Sequence, residues 1–152
     1  SNDIIDNNNN IDNDNQPIEI FTALGIDWHA YIFNDNEEFH ETCRAGGGNA
    51  IMRKYNKYNK NLEKPKSAGI PTGTLTLGGY TQLDAHVIKV VDKAIEEIRE
   101  LIKNYNYDGI YYAVAPNGKL GTGLFDVGKD VVEYIDGKIN SLTKNPVKII
   151  KL

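Results

Sequence analysis

The sequence predicts an α/β fold in which a mostly parallel, mixed sheet is layered against flanking helices. Three observations lead to this prediction. Strand-like and helix-like segments alternate along the chain, residues 83–104 have strong helical periodicity, and residues 109–115 form a nearly uncharged apolar run. Alternation of this kind is typical of sheets whose parallel strands are connected through helices.

Five short apolar runs bounded by turn residues predict strands. They lie at residues 18–24, 30–33, 67–73, 109–115 and 147–152. Residues 74–77 alternate between polar and apolar side chains, which would briefly extend the third strand. Residues 34–41 are acidic and irregular, so we expect a surface loop or a short helix there.

Three helices are predicted, at residues 49–58, 83–104 and 129–142. The second has the strongest signal, because its apolar residues recur about every 3.6 positions. Asp84 or Thr81 is its expected N-cap. The nine tyrosines of the chain, Tyr111 and Tyr112 among them, either pack within strands or supply a surface for a partner.

Composition limits the classes of protein to which the chain can belong. Its 152 residues are 40% hydrophobic, which suffices for one domain, predicted over residues 17–152. Residues 1–16 are mostly Asn and Asp and predict a disordered leader. The net charge of −4 disfavours a nucleic-acid partner, and the single cysteine, Cys43, excludes a disulfide-stapled scaffold. Without a membrane span or a signal peptide in the sequence, we expect an intracellular, cytoplasmic protein with no membrane partner.

Two glycine-rich turns, each ahead of a predicted helix, are the strongest functional signal. The first contains Gly46, Gly47 and Gly48, and the second covers residues 118–125. Glycine allows close approach of backbone N–H groups to a ligand, and a helix that begins there adds unpaired amides and a positive dipole end. Because ligands of parallel sheets bind beyond the carboxyl ends of strands, the two turns predict a clamp for a diphosphate or a nucleotide.

Specific roles can be assigned to side chains near the turns. The hydroxyl of Thr122 would add a donor to the amides around a phosphate. Asn49 would donate to a sugar or a phosphate, or would instead be a helix N-cap. Arg53, one turn further on, is either an anion ligand or a solvated surface charge. Neither turn matches the P-loop or the dinucleotide-binding glycine pattern.

The order of these segments resembles that of a macro domain, the α/β module that binds ADP-ribose. The resemblance rests on GGGNAI at residues 46–51, AGIPT at 68–72, the apolar run at 110–115 and GTGLF at 121–125. It implies a macro-domain-like fold and a small nucleotide ligand, ADP-ribose or a related nucleotide diphosphate, without a cofactor. Asp27 would accept a hydrogen bond from the adenine amino group and Phe125 would pack against the terminal sugar. The implied ligand-binding residues are Asp27, Gly46, Gly47, Gly48, Asn49, Gly121, Thr122, Gly123, Leu124 and Phe125.

Two alternatives to simple binding stay open, as does the question of whether the protein is an enzyme. One is a hydrolase acting on ADP-ribosyl or ADP-ribose phosphate derivatives, with ADP-ribosylated protein as a partner. Its weak catalytic candidates are Asn49, His29 and His40, since histidine titrates near neutrality. The other is an interaction module without a small ligand. No metal site is expected, because His29, His40 and Cys43 lack a recognised zinc spacing.

Overall fold

The computed structural model describes residues 29–107, 109–112, 114–123, 125–144 and 148–151, and shows an α/β fold with a mixed sheet. The strands are β1 (His29–Asn36), β2 (Ser67–Thr74), β3 (Gly78–Gly79), β4 (Gly109–Tyr112) and β5 (Lys148–Lys151). They lie in the order β3-β2-β1-β4-β5, and all are parallel except β3, which pairs antiparallel with β2. The prediction of a mostly parallel mixed sheet is therefore confirmed for the described strands.

Two α-helices and three 3₁₀ helices connect the described strands. The α-helices are α1 (Ala85–Asn104) and α2 (Lys129–Asn140), and the 3₁₀ helices are η1 (Glu37–Phe39), η2 (Gly48–Tyr55) and η3 (Ser141–Lys144). Asp84 is the N-cap of α1, as predicted, and its side chain accepts a hydrogen bond from the Val87 amide at 2.9 Å. The helix predicted over residues 49–58 has 3₁₀ geometry, and η3 replaces the last turn predicted for 129–142.

The two faces of the sheet are covered by different connections. Alternate residues of a strand point to opposite faces, and on one face α1 and α2 enclose the larger core. That core includes Ala30, Ile32, Ile70, Ile110, Tyr112, Val91, Ile95, Val131 and Ile135. On the other face, Met52 of η2 packs with Tyr31, Phe33 and Tyr111. The connection from β1 to β2 thus runs on one face, and the connection from β4 to β5 runs on the other.

Several predictions about local structure are wrong. Residues 34–36, expected to open an irregular surface segment, are the last residues of β1 and are fully buried. The side chains of Asn34 and Asp35 are compatible with burial because other parts of the chain supply partners. Residues 75–77 form a turn rather than an extension of β2. Cys43 is partly exposed. The strand predicted at residues 18–24 and the leader at residues 1–16 lie outside the described residues.

The described helices offer no candidate for a membrane crossing, since none has both the required length and the required apolarity. The tyrosines of β4 are buried, Tyr111 at 4% and Tyr112 at 0% exposure. These two residues therefore belong to the core of the sheet and do not contribute to a partner surface.

Candidate functional site

The connections of the sheet change direction at strands β1 and β4. These strands are parallel neighbours, so their carboxyl ends lie at the same edge. From that edge the chain leaves β1 toward η2 on one face, and leaves β4 toward α2 on the opposite face. Connections that diverge in this way define a topological switch point, which is where open α/β sheets bind ligands.

The first glycine turn lies on the β1 side of this switch point, at the start of η2. The amide of Gly46 donates to the Ala50 carbonyl at 3.0 Å, and the amide of Ala50 donates to the Gly47 carbonyl at 3.1 Å. Gly48 has a φ of 57°, a left-handed conformation that favours glycine. The N-cap of η2 is Gly47, so the alternative role of Asn49 as an N-cap is wrong.

The second glycine turn belongs to a segment that crosses the same edge. This segment begins at Leu120, which bridges to Val114 just beyond β4. It ends at Gly128, whose amide donates to the Tyr80 carbonyl next to β3 at 2.8 Å. In the sheet, β1 and β2 lie between β4 and β3. The segment therefore starts beside β4, on one side of this pair of strands, and ends beside β3, on the other side. Gly123, within this segment, has a left-handed φ of 64°.

Two other glycines allow this crossing segment to pack closely against β3. A Cβ atom added to Gly79 would lie 2.3 Å from the Asp126 carbonyl oxygen, and one added to Gly128 would lie 2.3 Å from the Thr81 carbonyl oxygen. Both distances are far below van der Waals contact. The absence of side chains at Gly79 and Gly128 is therefore what lets the end of the crossing segment pack against β3 and the residues that follow it.

The last three residues of β1 bring polar groups to this edge, and all three are fully buried. The side chain of Asn34 lies 3.5 Å from the amide nitrogen of Asn49, and the Tyr31 hydroxyl lies 3.5 Å from the Asn49 amide oxygen. These are long contacts by hydrogen-bond standards. The amide oxygen of Asn36 accepts from the Glu38 backbone at 2.9 Å, and its amide nitrogen is buried with no hydrogen-bond partner.

Asp35 forms a buried ion pair with Arg53 that connects β1 to the first glycine turn. Nε and Nη2 of Arg53 lie 3.0 and 2.5 Å from Oδ1 of Asp35, and Nη1 donates to the Arg44 carbonyl at 3.1 Å. Arg53 is 1% exposed, so the expectation of a solvated surface charge is wrong. The same guanidinium holds both the strand and the loop that leads into Gly46.

His40 extends this ion pair to helix α1. Its Nδ1 lies 2.9 Å from Oδ2 of Asp35, and its Nε2 lies 2.6 Å from Oε1 of Glu97. Burial alone would lower the pKa of His40, but the hydrogen bonds to both carboxylates outweigh burial and raise the pKa to about 9. His40 is therefore a cation at neutral pH.

The carboxylates of Asp35 and Glu97 are both stabilised in the ionised form. Burial favours the neutral acids, but the hydrogen bond from His40 and the charge of Arg53 lower the pKa of Asp35. Burial also opposes the charge of Glu97, whereas hydrogen bonds from His40 and Tyr58 lower the pKa of its carboxyl. We call Arg53, Asp35, His40 and Glu97 the buried charge chain, in which two positive and two negative charges balance.

The structure brings together some of the residues predicted for the site and separates others. The two glycine turns and Asn49 lie at the switch-point edge. His29 begins β1 and so lies at the opposite end of the sheet. The hydroxyl of Thr122 donates to the Phe125 carbonyl at 3.2 Å, and Phe125 is partly buried. Asp27 and Leu124 lie outside the described residues.

The sequence reasoning missed the buried polar residues of β1 and the roles of Arg53 and Glu97. One signal was available: Asn34, Asp35 and Asn36 follow an apolar strand directly, and the residues at such a position lie at the edge where parallel sheets bind ligands. No signal in the sequence relates residue 35 to residue 97. Among the described residues, no three His, Cys, Asp or Glu side chains are grouped so that they could hold a metal ion.

Comparison with known proteins found no match to this chain among protein-family models, curated proteins or solved structures. The geometry and chemistry of the switch-point edge are therefore the grounds for assigning a function.

Proposed function

We propose that this protein binds ADP-ribose or a related nucleotide diphosphate in the crevice between its two glycine turns. One observation carries the proposal: the glycine-rich segments after β1 and β4 meet the same edge of the sheet, at the switch point between two parallel strands. Sheets of this class bind nucleotides at such a place.

The chemistry of the turns suits the diphosphate. Backbone amides neutralise a phosphate without any excess of basic side chains, which agrees with the net charge of −4. Both turns contain glycines in the left-handed region, Gly48 in the first and Gly118 and Gly123 in the second, which permits peptide orientations closed to other residues.

The chemistry of the strand end suits the nucleoside. Asn34, Asn36 and Asn49 carry uncharged groups that both donate and accept hydrogen bonds, as sugar hydroxyls and base edges require. The Asn36 amide nitrogen is buried without a partner, and a buried donor of this kind is uncommon in a folded protein. These features favour a nucleotide over a simple inorganic anion. Among nucleotides, the resemblance of the glycine motifs to those of macro domains favours ADP-ribose.

The buried charge chain supports the first glycine turn without occupying it. Arg53 donates to the Arg44 carbonyl and to Asp35, so the loop before Gly46 is attached to β1 before any ligand arrives. A preorganised loop lowers the entropic cost of binding. The buried charge chain also makes His40 a weak candidate for a general base, because both of its ring nitrogens are hydrogen-bonded to carboxylates and the ring is protonated. Binding is therefore favoured over hydrolysis.

Isothermal calorimetry with ADP-ribose, ADP and AMP tests the proposal. We expect ADP-ribose to bind and to raise the melting temperature, because a ligand that binds only the folded state stabilises it by about 2.7 kcal/mol at a hundredfold excess over Kd. Neither heat nor a thermal shift with any of the three ligands at millimolar concentration would refute the proposal. Release of product from ADP-ribosylated protein or ADP-ribose 1″-phosphate would instead support the hydrolase alternative.

A glycine variant locates the binding site. Gly47 has φ −80° and ψ 162°, a conformation open to every residue, so Gly47→Val adds bulk to the first turn without backbone strain. We expect this variant to bind ADP-ribose at least tenfold more weakly than the wild type. Gly137→Ala is the matched control, because an added Cβ at Gly137 in α2 meets nothing within 4 Å. Equal affinity for both variants would place any binding outside this crevice.

A further inference from the structure

A second surface lies at the tip of the β2–β3 hairpin, where two leucines project into solvent. Leu77 is 84% exposed and Leu75 is 40% exposed, and no other large hydrophobic side chain among the described residues is classed as exposed. Turns of this kind are usually built from polar residues and glycine. Leu77 therefore contributes little to the core, and an apolar side chain exposed to this extent is available for contact with another molecule.

A groove adjoins this tip. It has a volume of about 240 Å³ and runs between β3 and the start of α1, with Leu77 and Val87 among its apolar lining residues. Its polar lining includes Glu37, whose carboxylate accepts from the Tyr80 hydroxyl at 2.5 Å and lies 2.9 Å from Nε2 of His86. An apolar side chain can enter the groove beside Leu77 while a polar group remains at its rim.

The surroundings of the groove are strongly acidic. Asp84 lines it, and no lysine or arginine is among its described lining residues. Three more carboxylate residues contact the same stretch of chain: Glu38 accepts from the Thr76 amide at 3.2 Å, Asp130 accepts from the Leu83 amide at 3.2 Å, and the backbone of Asp126 packs against Gly79. With Glu37, five acidic residues therefore lie along the groove or contact residues that border it, and His86, which pairs with Glu37, is the basic side chain among the described lining residues.

We propose that the hairpin tip and this groove dock a basic polypeptide segment that carries an apolar side chain. The apolar side chain would pack against Leu77 and Val87, and lysine or arginine side chains would pair with the carboxylates at the rim. A second copy of this chain fits poorly, because a symmetric contact would bring five carboxylates against five. The groove borders the end of the segment that carries the second glycine turn, at Gly79 and Asp126, but none of its described lining residues belongs to either turn, so docking can be tested without nucleotide.

Fluorescence anisotropy with short labelled peptides, without nucleotide, tests this proposal. The probe alternates lysine with leucine, and the two comparison peptides replace either lysine by glutamate or leucine by serine. We expect only the lysine–leucine peptide to bind, with an affinity that falls as salt is added. Binding of the glutamate peptide with equal affinity, or no binding of the lysine–leucine peptide, would overturn the proposal.

Protein variants with intact folds identify the surface. Leu77→Ser changes a side chain that is almost fully exposed, and Asp84→Asn removes a charge but keeps a residue that caps helices equally well. We expect at least a tenfold loss of peptide affinity in the first variant and a loss of a few-fold in the second. Glu63→Gln, an exposed carboxylate in another loop, is the control and should bind like the wild type.

Two results with these variants would contradict the proposal. One is unchanged peptide affinity in Leu77→Ser. The other is sedimentation of the wild type as a dimer that Leu77→Ser converts to a monomer, because the occupant of the surface would then be a second copy. Since nucleotide is absent throughout, either result leaves the proposal for the glycine turns untouched.

Discussion

Raising the pH above neutrality should destabilise this protein through one residue, His40. The imidazolium is buried between the carboxylates of Asp35 and Glu97, and its pKa in the folded state is about 9 against an ordinary value of 6.5. A folded-state pKa above the unfolded one means that the folded protein binds the proton more tightly. The resulting stability is fully present below pH 6.5 and is lost as the pH rises through 9.

The size of the effect follows from the two pKa values of His40. At 1.36 kcal/mol for each pH unit, the difference between about 9 and 6.5 corresponds to about 3 kcal/mol of the free energy of unfolding. The pKa values of Asp35 and Glu97 are lowered, so their contribution has the opposite pH dependence and is lost as the pH falls below their ordinary range near 4. Stability from the buried charge chain is therefore greatest between about pH 5 and 6.5.

Urea unfolding followed by circular dichroism, at a series of pH values between about 6 and 10, measures this loss. His40→Gln is the reference variant. It should be less stable than the wild type at about pH 6, because two buried carboxylates lose their shared cation. Its stability should change much less over this range, so the difference between the two proteins should shrink as the pH rises through 9. The difference between the two proteins removes the contribution of other groups that titrate over the same range.

Proton-detected NMR titration of the wild type provides a second measurement, which does not depend on the variant being folded. The His40 resonance should titrate near pH 9, far above the ordinary histidine value of 6.5. A His40 resonance that titrates near 6.5, or a wild-type stability curve parallel to that of His40→Gln, would refute the reasoning from the buried charge chain.

Three further substitutions test the packing of the site. Gly69→Ala would place a Cβ 2.3 Å from Oδ2 of Asp35, so we expect the free energy of unfolding in urea to fall by roughly 2–3 kcal/mol. A variant as stable as the wild type would show that the Asp35 carboxylate can move at no cost. Gly137→Ala fills open space within α2 and should stabilise the protein by about 0.5–1 kcal/mol, seen as a higher melting temperature, whereas a lower one would contradict the helical geometry. Arg53→Met should lower the free energy of unfolding, measured in urea, by about 3–5 kcal/mol, because Asp35 stays buried but loses one of its two cationic partners. A loss below about 1 kcal/mol would mean that the ion pair is not desolvated.

Much of the fold could be predicted from local patterns. The helix α1 was placed within two residues at its start, and its N-cap Asp84 was correct, because helical periodicity and capping depend on neighbours in the chain. The strands β2, β4 and β5 followed from short apolar runs. The end of β1 could not be predicted in this way, because residues 34–36 are polar and their burial depends on partners distant in sequence.

The candidate site likewise has features that local sequence patterns predict and features that depend on distant contacts. The glycine turns were visible in the sequence because glycine is the residue that tolerates φ values such as those of Gly48 and Gly123. The role of Arg53 was not visible, since an arginine on a short helix is usually solvated, and only its approach to Asp35 explains its burial. Likewise, nothing near His40 in the sequence indicates the contact with Glu97 that helps to keep its ring charged.

By itself, the sequence determined which segments form helices and strands and where the backbone can turn sharply, because these depend on side-chain periodicity and on glycine at particular positions. The tertiary structure alone decided that the two glycine turns share one edge of the sheet and that four charged residues far apart in sequence form one buried chain. The physical reason is that strand order and desolvation arise from packing between distant segments, and the pKa of His40 exists only once both carboxylates are beside it.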